Sequence, residues 1–255
     1  MLSPNWWGSQ TPNRLPPSAK GPIPPSLLAA AELSQGMARG MARPRVLLTG
    51  FGPFPGVAEN PSGWLAETAA SAATPDDCAL YRAVFPTEWD AVENRAAYFH
   101  QAIRPRLMIH LGVQMQATEI HLECRAHNEI DHRPDACGAH PGRHDVISGC
   151  DGTLETYLPV DSLVARLQEE KIPARTSQSC GRYLCNDLYF RSLHWAEQNG
   201  SDALFVHVPQ THVLSKETLL LAAEAILRDA IHAIQLQSKF CPEVTGTAPP
   251  IVESP

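Results

Sequence analysis

A chain of 255 residues, 44% hydrophobic and 18% charged, is long enough for one sizeable core and falls in the globular range. A formal charge of -7 offers no basic field to a polyanion, and no apolar run approaches the roughly 20 residues that span a bilayer, so neither nucleic acid nor membrane is an expected partner. Seven cysteines cannot all pair within one chain and form no small disulfide scaffold, which fits reduced thiols and a cytoplasmic setting.

Residues 1–43 are rich in Pro, Ser and Gly without sustained periodicity and read as a disordered extension. Tandem Trp6 and Trp7 are its one docking-like feature, and Met37 and Met41 stand as alternative starts just before order begins. From Arg45 the run RVLLT reads as a buried strand that feeds the Gly/Pro-rich loop GFGPFPGVAENPS. That loop lacks both the Lys-Ser/Thr pair of a phosphate loop and Gly-x-Gly-x-x-Gly spacing; two rings three positions apart, Phe51 and Phe54, suit instead the wall of a small flat apolar pocket or a plug at the sheet edge.

A helix over 62–73 capped by Ser62, a strand CALYRAVF, a helix from Glu88 to about Ala102 capped by Thr87, and a strand LMIHLG follow. TEIHLEC then alternates, with Ile120, Leu122 and Cys124 on one face and Glu119, His121 and Glu123 on the other, the pattern of a half-buried strand. Residues 125–152 form a long aperiodic excursion. Order returns with a short strand near ARTSQ, a turn at SCGR, a helix from about Tyr183 to Gln198 ended by Gly200, the strand ALFVHV, and a helix from Lys216 to Gln237 capped by Ser215; the chain then closes in a Pro-rich tail over 241–255. This alternation predicts a single α/β domain over 44–240, a largely parallel mixed sheet with helices on both faces.

Three features carry chemistry. Cys185 falls in the first turn of a predicted helix, where unpaired amides and the helix dipole favour thiolate, although most free cysteines are simply small buried residues. His207 closes a buried strand, at the sheet edge where functional groups gather in open α/β folds, and by position is either a satisfied core histidine or a candidate base. A carboxylate to orient that imidazole is supplied by Glu123, Glu119, Asp131, Asp135 or Asp151, and spacing does not choose among them. The same region packs in His121, Cys124, His127, His132, Cys137, His140 and His144, yet without the tight Cys-x-x-Cys or His-Glu-x-x-His pairs of zinc sites, so no metal is expected.

From about Arg45 to Gln237 the chain resembles pyroglutamyl peptidase I, cysteine peptidases that remove an N-terminal pyroglutamate from peptides. The likeness rests on VLLTGFGPF followed by ENPS, on Glu123 eleven positions beyond Gly112 of HLGV, on Asn128, Asp131, Arg133 and Asp135 in HNEIDHRPD, on SCGRYLCND, and on FVHVP, all in the family's order. The resemblance implies Cys185 as nucleophile, His207 as base and Glu123 as the orienting carboxylate. It further implies Phe51 and Phe54 flanking the pyrrolidone ring, Leu184 adding to that apolar pocket, Asn60 supporting the loop or touching substrate, Arg133 in a supporting role, and no cofactor. Two departures stand out: VQMQ at 113–116 replaces the Gly-Gly-Arg run usual in bacterial members, and the match fades past Asp135. Members differ in oligomeric state, which leaves a homo-oligomer open.

Overall fold

The computed structural model describes residues 43–69, 78–150 and 152–240. The expected extension, the C-terminal tail, the far end of the first helix and Asp151 lie outside the described residues. In chain order the elements are β1 (Arg45–Phe51), α1 (Pro61–Thr68), β2 (Ala79–Phe85), α2 (Trp89–Ile103), β3 (Leu107–Val113), β4 (Ile120–Glu123), β5 (Arg125–His127), β6 (Thr153–Glu155), α3 (Val160–Glu169), β7 (Ala174–Ser177), α4 (Leu184–Asn199), β8 (Asp202–Val208) and α5 (Lys216–Phe240).

Six strands form one sheet in the order β2-β1-β3-β8-β4-β7, while β5 and β6 pair separately as a short antiparallel ribbon. All sheet pairings are parallel except β4 against β8. Alternate strand residues feed two cores. Val46, Leu48, Ile109, Leu111, Leu204 and Val206 face α1, α3 and α5, whereas Leu47, Phe51, Met108, Ala203 and Phe205 face α2 and α4. A sheet covered on both faces by helices is what near-continuous apolar strands such as LMIHLGV require.

Several local expectations shift. Asn60 rather than Ser62 caps α1: Pro61 is pre-set for the first helical position, and Asn60 Oδ1 accepts from Ser62 N at 3.1 Å. Glu88 occupies the cap position of α2, while Thr87 Oγ1 donates instead to Gly52 O at 3.3 Å. β4 is buried on both faces, not half-exposed, because it lies inside the sheet between β8 and β7. The ribbon strands β5 and β6 and the helix α3 were not anticipated; β5 and β6 are three residues each, too short to show a period. At the end of the chain Ser215 does cap α5, its Oγ accepting from Thr218 N at 3.2 Å, and Gly200 closes α4 in the left-handed conformation at φ 61°.

Candidate active site

Three segments converge at one end of the sheet. The turn before α4 needs a positive φ of 78° at Gly181, which glycine tolerates without strain, and it delivers Cys185 to the second position of the helix. The first helical bond from this end is Asp187 N to Tyr183 O at 3.0 Å, so the amides of Leu184, Cys185 and Asn186 precede the intrahelical ladder. Tyr183, at the cap position, makes no side-chain capping bond and leaves those donors to a ligand.

Beneath the sulfur the sheet is pared to glycine. A Cβ at Gly112 would stand 3.2 Å from Cys185 Sγ and 2.7 Å from Cζ of Phe205, too close for any larger side chain without displacement. β8 brings His207 beside this point, two residues beyond Phe205, and the two rings are 4.9 Å apart. His207 Nδ1 and Glu123 Oε1 lie 2.7 Å apart with both groups buried, which leaves Nε2 as the ring nitrogen free to serve the sulfur. Glu123 is presented from β4, and Tyr189, one turn after Cys185, donates its hydroxyl to the Glu123 carbonyl at 2.8 Å.

The electrostatics follow from this enclosure. Burial by itself would depress the imidazole of His207, but its interactions with Cys185 and Glu123, by hydrogen bonding and by charge, outweigh that penalty and lift its pKa to about 9. At neutral pH such a value describes an imidazolium held beside Cys185 and Glu123. Glu123 Oε2 is fully buried and finds no partner among the described residues, so the carboxylate reaches its protein partner through Oε1 alone. Nearby Cys180 is also buried, and burial followed by the charges of Cys185 and Glu123 pushes its thiol well above the ordinary range.

Of the other carboxylates that sequence spacing allowed, the three among the described residues are committed elsewhere. Glu119 pairs with Arg175 at 3.2 Å and Asp131 with Arg133 at 3.1 Å. Asp135 accepts from Trp89 N at 3.1 Å and from the amides of Cys137 and Ala139, each at 2.9 Å. The ring-binding residues separate as well. Phe51 is buried at 3% exposure and reaches the site through Phe205, its ring 6.5 Å away, whereas Phe54 is half-buried on a loop closed by mutual backbone bonds with Val57. Asn60 is bonded to that loop: Nδ2 donates to Gly52 O at 3.0 Å and Oδ1 accepts from Ser62, the loop support that was one of the two roles expected of it. Leu184 is buried at the head of α4, and the guanidinium of Arg133 lies 4.7 Å over the ring of Tyr183.

The excursion is a strap over α4. Asn186, directly after Cys185, donates to His127 O at 2.7 Å and Glu129 O at 3.0 Å and accepts from His127 N at 2.8 Å. Asp187 is bracketed by Arg143 at 2.8 Å and Arg191 at 2.9 Å. Its pKa is nonetheless raised: burial outweighs the two arginines, which pull the other way. Tyr183 completes the strap by donating to Pro134 O at 2.9 Å while its ring meets Trp89 edge-on at 5.1 Å. Among the described residues no three His, Cys, Asp or Glu side chains are grouped to hold a metal ion; His132 and His144 touch at 2.8 Å as a pair.

Sequence reasoning missed Phe205, Tyr189 and the Asn186–Asp187 anchors. Phe205 was findable, since it lies two residues before His207 and must share its face. Tyr189 was findable as the i+4 neighbour of Cys185 on one helix. The anchors depend on a strap whose path has no sequence period.

The family model for pyroglutamyl peptidase matches residues 44–236. The chain belongs to the pyroglutamyl peptidase family. Among curated relatives, the pyrrolidone-carboxylate peptidase of Thermococcus litoralis is 31% identical over 206 residues, covering 76% of this chain and 91% of its own. That of Chromobacterium violaceum is 33% identical over 165 residues, 64% of this chain and 77% of its own. Among solved structures, pyrrolidone carboxyl peptidase from Thermococcus litoralis superposes with a TM-score of 0.69 at 26% identity, over 81% of this chain and 99% of its own. A mutant of the Pyrococcus furiosus enzyme does so with a TM-score of 0.70 at 26% identity, over 74% and 99%. The single α/β domain and mixed sheet expected from sequence are thereby shared with enzymes of known structure.

Proposed function

We propose that the protein is a cysteine peptidase that removes an N-terminal pyroglutamyl residue from peptides through a thioester acyl-enzyme. One observation carries the reading: an imidazole held by a buried carboxylate at 2.7 Å faces a cysteine at the open N-terminus of a helix. Cys185 thiolate adds to the pyroglutamyl carbonyl carbon, and the oxygen that gains the electron pair is received by the unpaired amides at the start of α4. As that intermediate collapses, the C–N bond breaks and His207 Nε2 delivers its proton to the departing amine. The now neutral imidazole takes a proton from water, hydroxide adds to the thioester, and pyroglutamate leaves as the thiolate is regenerated. Glu123 keeps Nδ1 protonated and the ring oriented throughout.

The acyl group is an uncharged lactam, and apolar side chains are available to receive it: Phe51, Leu184 and Phe205 share one hydrophobic cluster, and Phe54 stands half-buried on the loop after β1. A prolyl residue of the same ring size carries a charged amine that these walls would desolvate without a partner. Arg133 supports the site by stacking on Tyr183, the cap residue of α4.

Hydrolysis of a fluorogenic pyroglutamyl amide beside the matching prolyl amide tests the assignment, with wild type and Cys185→Ala. Wild type should cleave the lactam substrate alone, and Cys185→Ala should lose at least about a thousand-fold in rate while remaining folded. Retention of most activity by Cys185→Ala would remove the nucleophile assignment.

A further inference from the structure

Four strands align their side chains into one row across the face that carries the site. The register pairs Gly112 of β3 with His207 of β8, His207 with His121 of β4, and His121 with Arg175 of β7. Paired residues on neighbouring strands project to the same face. The row therefore begins under the Cys185 sulfur at Gly112, passes His207 and ends at the edge strand β7. The loop bearing Phe54 follows β1, on the opposite side of β3. With the acyl group on that side, the departing segment leaves Cys185 toward His207, and the next side chain along the row is His121.

His121 has no task in the triad. It is buried to the same degree as His207, each 6% exposed, and the charged or titratable groups that act on its ring are Arg175, Glu123, His207 and Glu119. Burial, then the charge of Arg175, outweigh Glu123 and hold its imidazole below the ordinary range, so at neutral pH it offers one donor and one acceptor. Arg175 follows with a guanidinium about half exposed. Glu119 Oε1 holds its Nε at 3.2 Å and Nη1 lies 3.4 Å from Thr176 O, which leaves Nη2 to a ligand.

We propose that His121 and Arg175 form the subsite for the leaving segment, His121 bonding the backbone of the first residue after the scissile bond and Arg175 recognising a carboxylate carried by that residue. The reading rests on the pyroglutamyl peptidase activity proposed above. The carboxylate is either an acidic side chain or the free terminus of a dipeptide.

The test compares kcat/KM on four substrates: a pyroglutamyl arylamide, pyroglutamyl-alaninamide, pyroglutamyl-glutamate amide with its terminus blocked, and pyroglutamyl-alanine with its terminus free. Arg175→Gln should lower one or both carboxylate substrates about ten-fold relative to the alaninamide. Loss confined to the glutamate substrate assigns the side chain, and loss confined to pyroglutamyl-alanine assigns the terminus. His121→Leu should lower all three peptide substrates relative to the arylamide, again about ten-fold. Substrate ratios that stay constant in both variants would overturn the subsite while leaving the peptidase assignment intact. Failure of wild type on all four substrates would instead remove that assignment and the subsite with it.

Discussion

His207 and His110 stand on neighbouring strands, project from the same face of the sheet and are both buried, yet their surroundings drive them apart. Burial, assisted by the charge of His100, takes His110 down to about 3. Its ring meets only neutral hydroxyls, Thr49 Oγ1 at 2.7 Å and Ser192 Oγ at 2.9 Å, and Ser192 passes the chain on to His100 at 3.1 Å. Burial acts on His207 in the same direction, but there Cys185 and Glu123 outweigh it and the pKa rises to about 9. A buried imidazole in this fold is thus a neutral structural element or a charged reactive one according to the groups facing it. The strand that supplies it does not decide.

The sharpest way to break this contrast is Glu123→Gln. The amide keeps the shape but removes the charge and allows the wrong ring tautomer, so kcat should fall by about a hundred- to ten-thousand-fold. The pH profile carries the sign. Since the proton on His207 is needed for the leaving amine, activity in wild type should decline as pH rises through about 9, and in Glu123→Gln that limb should move to lower pH. A limb that stayed in place would show that Glu123 does not set the charge of His207. The linked stability runs in the same direction: a raised histidine stabilises the fold fully below 6.5, and this contribution is lost as pH climbs through about 9.

Gly112→Ala probes the floor of the site. The new methyl would press on Phe205 and approach the sulfur, and about 1–3 kcal/mol of stability should be lost, read as a lower urea midpoint, together with activity. Unchanged kinetics would mean that the sulfur does not sit over this glycine.

The smallest effect belongs to the neutral histidine. The unfolded chain protonates near 6.5 while folded His110 resists until about 3, so stability should fall as pH drops through that interval. His110→Asn should cost about 1–3 kcal/mol at neutral pH from broken hydrogen bonds, and its acid-side slope, followed by urea unfolding between pH 7 and 5, should be shallower by about one proton. An equal slope in both proteins would mean that His110 is not held neutral.

Much of the fold was legible because strand and helix periods and the caps at Ser215 and Gly200 are local. Cys185 and His207 were legible for the same reason, one at a helix start and one at a strand end. The carboxylate was legible only through the family resemblance: by spacing Glu119, Glu123, Asp131, Asp135 and Asp151 were equivalent, and it is the antiparallel placement of β4 beside β8 that brings Glu123 to His207. The polar face of TEIHLEC, which the alternation left as either functional or exposed, is resolved in a related way. Its His121 and Glu123 are polar because they face the site, within a strand buried on both sides. Phe51 and Phe54 looked equivalent on the loop, yet β1 ends at Phe51 and draws its ring into the core, leaving only Phe54 with open surface.

Nuclear magnetic resonance titration of histidine-labelled protein tests the central claim most directly. One imidazole should remain protonated through neutral pH and titrate near 9, disappear in His207→Gln and titrate lower in Glu123→Gln. If no imidazole titrates above about 7, His207 is not held as an imidazolium between Glu123 and Cys185, and the account of the site is wrong.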